Sequence, residues 1–504
     1  MSKKSLQWPY PAYIRTITIS TIFKKETLMK LLPLAALIST TLLASSAAHA
    51  ADWPENFLKC AAQGGTCDIG TAKRQMSFGI KNKWVVKSLS GKVACTAATF
   101  GSDPYPGVDK KCAVGPLDGT TPPVTPPVTP PVTPPAGTDP LTQAAPATGW
   151  ASYSSGTRGG AAATQKEIYL VGSPSQLLAA LKAQAGKPAQ IKVYGTIDMT
   201  ASDNGGAFKS ASDQGARSLI SIPSNTTLIG VGSDARIVNA RIMIKGVDNV
   251  VVRNLTIANP CDIAPKWDPT DGSSGNWNSE YDGVNIDKST HVWIDHNTFT
   301  DAPRTDDQFP TEKGKLKQCH DGALDVKNGS DYVTVSNNVF ELHEKNTLVG
   351  SSDSTSADDG HLTVTFHGNH YKQVTSRAPR VRFGKVHVYN NYYEGDRNAR
   401  LYAHHYSIGV GYKAKIVSQN NAFDVIGASE CGDVIEASGS SSKTGAIIDS
   451  GSLLNGAALG LGGASCKFSN AIGWTLPYTP ALLDTAKVRE SVLRNAGAGK
   501  LSVR

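Results

Sequence analysis

The chain has 504 residues, with 50 Lys and Arg against 42 Asp and Glu and a formal net charge of +8. Residues 1–50 supply +5 of this (Lys3, Lys4, Arg15, Lys24, Lys25 and Lys30 against Glu26), leaving +3 for residues 51–504. So mild a balance gives no ground for nucleic-acid binding, although it permits an acidic substrate.

Residues 1–50 read as an export signal region rather than as fold. Lys30 precedes a mostly apolar run from Leu31 to Leu43, and Ala48-His49-Ala50 follows. A basic start, a short apolar stretch and an A-x-A-like site predict a secreted chain that begins at Met29 and is cleaved after Ala50. The apolar run is too short to span a bilayer, so no membrane anchor is expected.

All eight cysteines follow Ala50: Cys60, Cys67, Cys95 and Cys112, then Cys261, Cys319, Cys431 and Cys466. An even count in an exported chain predicts disulfides, paired within each group of four. Each group allows three connectivities. For the second group, Cys261–Cys319 and Cys431–Cys466 are the expected pairs. A four-thiolate zinc site would need C-x-x-C pairs, which are missing.

Residues 51–117 form a small module that its cysteines would staple. Trp53, Phe78, Trp84, Phe100 and Tyr105 either make a sugar-stacking face or fill its core. Its Cys-Ala-Ala-Gln-Gly-Gly-Thr-Cys opening resembles small modules attached to secreted polysaccharide enzymes, a resemblance that names no ligand; its tethering by a linker favours a binding role, with cell-wall carbohydrate as the expected partner. Residues 118–144 are a Pro/Thr-rich linker. Its Thr121–Pro135 tract, TPPVTPPVTPPVTPP, favours extended polyproline II of about 45 Å.

Residues 145–504 are long enough for a sizeable core. Ser173-Pro174-Ser175 ahead of Leu177, Leu178 and Leu181 predicts a capped amphipathic helix. Beyond about Gln190 the chain reads as successive strands rich in Val, Ile and Thr. A loose repeat, Asn-x-apolar, recurs at Asn297, Asn338, Asn369, Asn391 and Asn421, with a weaker copy at Asn254. Unequal spacings of 22 to 43 residues fit coils of one minimum length carrying loops of different size. That is the signature of a parallel β-helix. An antiparallel sandwich would show more tight hairpin signals. Asn at a repeated turn tolerates left-handed backbone and can bond along the stack.

The chemistry concentrates between Tyr281 and Arg382. This stretch holds Tyr281-Asp282-Gly283-Val284, Trp293-Ile294-Asp295-His296, His320-Asp321-Gly322-Ala323-Leu324-Asp325, Lys345, and Arg377-Ala378-Pro379-Arg380-Val381-Arg382. Clustered carboxylates suit a hard cation such as calcium. Fixed cations suit an anionic substrate whose charge grows in the transition state. Residues four apart on a straight strand stand about 13 Å from each other. Asp321 and Asp325 can therefore share an ion only if the chain bends near Gly322-Ala323.

These motifs, and above all RAPRVRFGKVHVYNNYY from Arg377, resemble the pectate lyases of polysaccharide lyase family 1 over most of residues 145–504. The resemblance implies an all-β, right-handed single-stranded parallel β-helix. It implies cleavage of (1→4)-α-D-galacturonan by β-elimination with Ca2+; nothing in the sequence demands an oligomer, so a monomer is expected. Asp282, Asp321 and Asp325 match the family's calcium ligands, Arg377 its base, and Lys345 and Arg382 its substrate-binding cations. An arginine base is unusual, because its pKa normally exceeds about 12; neighbouring cations and alkaline pH would favour it. Arg380 sits at an alternating position in the same strand. His296, His320 and Asp295 read as structural. The pairs Asp306-Asp307 and Asp358-Asp359 could suggest a hydrolase, but no hydrolase motif accompanies them, and they read as solvated loop residues. Two rivals are a pectin lyase, which would dispense with the acidic cluster, and a non-catalytic wall-binding β-helix.

Overall fold

The computed structural model describes residues 54, 57–71, 73–81, 83–117, 139–271, 274–439 and 443–503. The signal region and the Thr121–Pro135 tract lie outside the described residues. The chain divides into two compact units, at Asp118 and Gly119.

In the first unit the strands Leu58–Ala62, Lys111–Leu117, Arg74–Ile80 and Lys83–Leu89 form one antiparallel sheet in that spatial order. Thr66–Asp68 pairs with Lys92–Ala94. Disulfides Cys60–Cys67 and Cys95–Cys112 staple it. Phe78 and Phe100 stack in the core with ring centroids 5.3 Å apart. Those two rings fill the interior and are not a sugar face.

The second unit is the right-handed parallel β-helix. Three sheets, one of eight strands and two of ten, run along it; each strand pairs in parallel with its counterpart one coil away, except Ala457–Ala458, which closes one sheet antiparallel to Leu453–Leu454. One coil shows the pattern: Val284–Asp287 pairs with Leu324–Lys327, Thr290–Asp295 with Asp331–Ser336, and Thr298–Thr300 with Val339–Lys345. Inward positions on all three sheets are apolar and fully buried, among them Ile286, Ile294 and Phe340. Phe299, Phe340, Tyr371, Tyr393 and Phe423 stack in one row at 4.4 to 5.2 Å.

The asparagines form a buried ladder. Asn297 Nδ2 donates to Asn338 Oδ1 at 3.1 Å, Asn338 to Asn369 at 3.0 Å, Asn369 to Asn391 at 2.9 Å and Asn391 to Asn421 at 3.0 Å. Ser452 Oγ ends it by accepting from Asn421 N. The left-handed backbone sits one residue earlier, at His296, Asn337, Gly368, Asn390 and Asn420. Asn254 therefore corrects the repeat as read from sequence. It is itself left-handed, φ 56°, and Leu255 N donates to Asn297 Oδ1 at 3.1 Å, so Asn254 stands beside the ladder rather than in it.

The predicted helix is Pro174–Gln184, with Ser173 as its cap. Its Leu177 and Leu181 close the core over Val171, Ile191 and Val193. A second helix, Thr485–Asn495, lays Val488 and Val492 on Tyr392 and Ala422. Cys261–Cys319 and Cys431–Cys466 are both formed. No described helix is long and apolar enough to cross a membrane.

Candidate active site

The eight-stranded sheet presents the site. Leu324, Val326, Val349 and Val381 point into the core, so alternation puts Asp325, Lys327, Arg380 and Arg382 on the outer face. Arg380 and Arg382 flank Val381 and thus share a face.

The bend leading into this sheet carries the remaining groups. Its coils are stacked by backbone bonds: Gly283 N to Gly322 O at 2.9 Å, Ala323 N to Asn346 O at 2.9 Å, and Asn346 N to Ser376 O at 3.1 Å. Each bend is preceded by one of the predicted residues: Asp282, Asp321, Lys345 and Arg377. Strand neighbours lie about 4.8 Å apart, so the three steps from Asp282 to Arg377 cover about 14 Å. The chain bends at Ala323, between Asp321 and Asp325.

The acidic end is tightly built. Asp282 Oδ1 accepts from Gly322 N at 3.1 Å, and its Oδ2 accepts from Asn285 Nδ2 at 2.6 Å and Lys327 Nζ at 3.2 Å. Lys327 Nζ also lies 3.7 Å from Asp325 Oδ2, and Asp325 Oδ1 accepts from Leu348 N at 2.9 Å. A Cβ at position 322 would meet Asp325 Oδ1 at 2.8 Å and Asp282 Oδ1 at 2.9 Å. Glycine therefore leaves a hollow onto which two carboxylates converge. Burial, then the Asp282 charge, push the Asp325 carboxyl up to about 8. The same two causes raise Asp321, against the pull of Lys345, Arg377 and Lys327. Crowded carboxylates that resist ionisation around an open hollow are a donor set fit for a divalent oxygen-seeking cation.

The cationic end is differently poised. Among the described residues no hydrogen bond or ion pair holds the Lys345 ammonium or the Arg377 guanidinium, although Lys345 is only 9% exposed. Arg377 has φ 63°, a costly conformation for a side-chain-bearing residue. Arg382 is anchored instead: Nε donates to Asp353 Oδ1 at 2.8 Å and Nη1 to Gly350 O at 3.1 Å. Burial, then Arg382 and in smaller measure Arg377, lower the Arg380 pKa.

Three groups escaped the sequence reading. Lys327 was legible as the residue two beyond Asp325 on one strand face. Glu344 lies beside Lys345, its carboxyl raised by burial despite that lysine's pull. Asn285 has no distinguishing motif.

The histidines are tied into the scaffold. His296 Nδ1 meets Asp295 Oδ2 at 2.6 Å, and Asp295 also pairs with Arg253 at 2.8 Å. His320 Nδ1 lies 3.1 Å from Asp306 Oδ1 and 3.5 Å from Asp301 Oδ2. Asp301 bonds in turn to His343 at 2.7 Å and to Tyr402 at 2.8 Å. Asp306 and Asp358 correct the expectation of solvated loops. Both are buried, because His320 meets Asp306 and the Gly329 N–H donates to Asp358 at 2.7 Å. Asp307 and Asp359 do pair at the surface, with Arg400 and Lys413.

Comparison with known proteins follows the same lines. A family profile described as Pectate lyase matches residues 136–501. A pectate lyase of Bacillus subtilis (strain 168) is 40% identical over 393 residues, spanning 70% of this chain and 92% of the relative. Pectate lyase E of Dickeya dadantii (strain 3937) is 46% identical, spanning 72% and 89%. A solved pectate lyase bound to hexasaccharide superposes with TM-score 0.67 at 38% identity, covering 72% of this chain and all of that one. The chain belongs to the pectate lyase family.

Proposed function

We propose that this enzyme is a secreted, calcium-dependent pectate lyase that cuts (1→4)-α-D-galacturonan by β-elimination, leaving 4,5-unsaturated ends. The observation that carries this reading is the pairing of an acidic hollow at Gly322 with two unneutralised cations, Lys345 and Arg377, on the next coils. Asp282, Asp321 and Asp325 would hold the ion. When bound there, calcium neutralises a substrate carboxylate and so acidifies the adjacent C5 proton. Arg377, in its neutral form, takes the C5 proton; the C5 electron pair forms the C4=C5 bond, and the C4–O bond breaks with its electron pair on the departing chain's O4, which takes a proton from water. Lys345 receives a substrate carboxylate through charge-assisted hydrogen bonds. Arg382 does the same with Nη2, while Asp353 and Gly350 fix the rest of its guanidinium.

Export is supported by the apolar run after Lys30 and by four disulfides with no free cysteine among the described residues. The small unit is assigned a carbohydrate partner in the cell wall, and nothing in the site calls for a second subunit.

The test is ultraviolet absorbance of the unsaturated product. Polygalacturonate at alkaline pH with calcium should give a steady rise that excess chelator abolishes. A rise that survives chelation and is larger on methylated pectin would reassign the chain as a pectin lyase. New reducing ends without absorbance would mean hydrolysis.

A further inference from the structure

Two hairpins rise from the segments that carry Asp282 and Asp321. Lys266–Asp268 pairs with Asn276–Asn278, and Thr311–Glu312 with Lys315–Leu316. They are bound together: Trp277 Nε1 donates to Glu312 O at 3.2 Å, Ser279 Oγ to Gln318 O at 3.2 Å, and Cys261–Cys319 ties their bases. Trp277 is buried, and Lys317, 4.8 Å over its ring, is paired with Glu312 at 3.1 Å. These contacts account for the docking of one hairpin on the other.

They do not account for Lys313 and Trp267. Lys313 is exposed at the tip of the second hairpin, with φ 53° next to Gly314 at φ 75°. Both central residues of that turn are left-handed, a position that glycine or asparagine fills with less strain. No carboxylate pairs with Lys313 among the described residues. Its ammonium stands 4.9 Å from the ring of Trp267 and 5.8 Å from that of Trp277. Trp267 is half-buried. The two rings meet edge-on at 5.5 Å, which fixes Trp267 in place. A strained backbone that holds an unneutralised cation over a fixed, half-buried aromatic ring points to a ligand offering both an apolar face and a negative charge.

Resting on the proposed function, we infer that Trp267 and Lys313 form an outlying subsite for one galacturonate unit, on the hairpins that lead into Asp282 and Asp321. The sugar's C–H face lies on the Trp267 ring, and its carboxylate meets the Lys313 ammonium. This subsite makes no contact with the bond being cut; it favours long chains over short ones.

Lys313→Gly is the sharpest variant, because glycine suits the left-handed turn and the fold should be as stable or more so. KM for polygalacturonate should rise roughly two- to fivefold, the loss expected for one partly exposed charge contact. kcat, and both constants on trigalacturonate, should not move. Trp267→Ala should give the same pattern. An unchanged long-chain KM in both variants overturns the subsite, as does an equal rise on the trimer. If the unaltered enzyme turns over no galacturonate at all, the functional reading fails separately. Calorimetric binding of hexagalacturonate then decides: weaker binding by Lys313→Gly supports the subsite, and equal binding overturns it.

Discussion

Lys327 places its ammonium 3.2 Å from Asp282 Oδ2, joining two adjacent coils across the acidic hollow. Burial works against its charge, yet Asp282 and Asp325 together hold its pKa above the ordinary lysine value. The enzyme thus carries its own counter-charge where a divalent cation is proposed to bind. Lys327→Met should destabilise the calcium-free protein by about 1–3 kcal/mol, because two buried carboxylates lose a partner. Calcium should restore more stability to the variant than it adds to the unaltered protein. Thermal melts with and without chelator check both statements.

The raised Asp325 carboxyl predicts how stability follows pH. Its folded value is about 8, against about 3.9 for an unperturbed aspartate. Between these values the folded protein holds a proton that the unfolded chain has lost. This contribution is fully present below about pH 4 and disappears as pH rises through about 8. The calcium-free protein should therefore melt at progressively lower temperature from pH 5 to pH 8, and Asp325→Asn should flatten that decline. Because a metal needs the ionised carboxylate, calcium affinity should strengthen over the same range.

Arg377 stands one coil from Lys345 and has no hydrogen-bond or ion-pair partner among the described residues, so its replacement should affect turnover rather than folding. Arg377→Lys should lower kcat by about 10²- to 10⁴-fold, the range for losing a proton-transfer or charge-stabilising group. KM and melting temperature should change little. The unaltered enzyme should have an alkaline optimum; an acidic optimum would count against Arg377 as the base.

Much of this architecture could be read from the chain, and the misreadings have physical causes. The Asn-x-apolar repeat pointed to a stacked coil because one buried turn must satisfy its own amides at every level. It does not tell the left-handed residue from the ladder residue, since Asn serves in both positions; Asn254, the weaker copy, is the left-handed one. Asp306 and Asp358 looked like loop carboxylates because their partners, His320 and the Gly329 N–H, are 14 and 29 residues away. Lys345 and Arg377 are 32 residues apart in sequence, yet stacking puts them on adjacent coils. Resemblance, rather than spacing, brought them together in the sequence reading.

The ladder is expected to bear much of the coil's stability. Asn369 Nδ2 donates to Val335 O at 2.9 Å and to Asn391 Oδ1, while its Oδ1 accepts from Asn338. Asn369→Ala would leave several of these groups buried and unpaired. A loss of about 2–4 kcal/mol is predicted, readable from the denaturant midpoint. Asn254→Ala should act differently: it leaves the ladder intact but strains one left-handed turn and removes the bonds of Asn254 to Gly230 O, Gly232 O, Gly499 N and Leu501 N.

The central claim is that Asp282, Asp321 and Asp325 bind calcium beside Arg377 on a galacturonate substrate. A crystal structure of Arg377→Lys with calcium and an oligogalacturonate tests it most directly. The account predicts a metal peak with carboxylate oxygens of all three aspartates at about 2.3–2.6 Å, a substrate carboxylate completing the shell, and residue 377 facing C5. A metal bound elsewhere, or a sugar whose C5 turns away from residue 377, would contradict it.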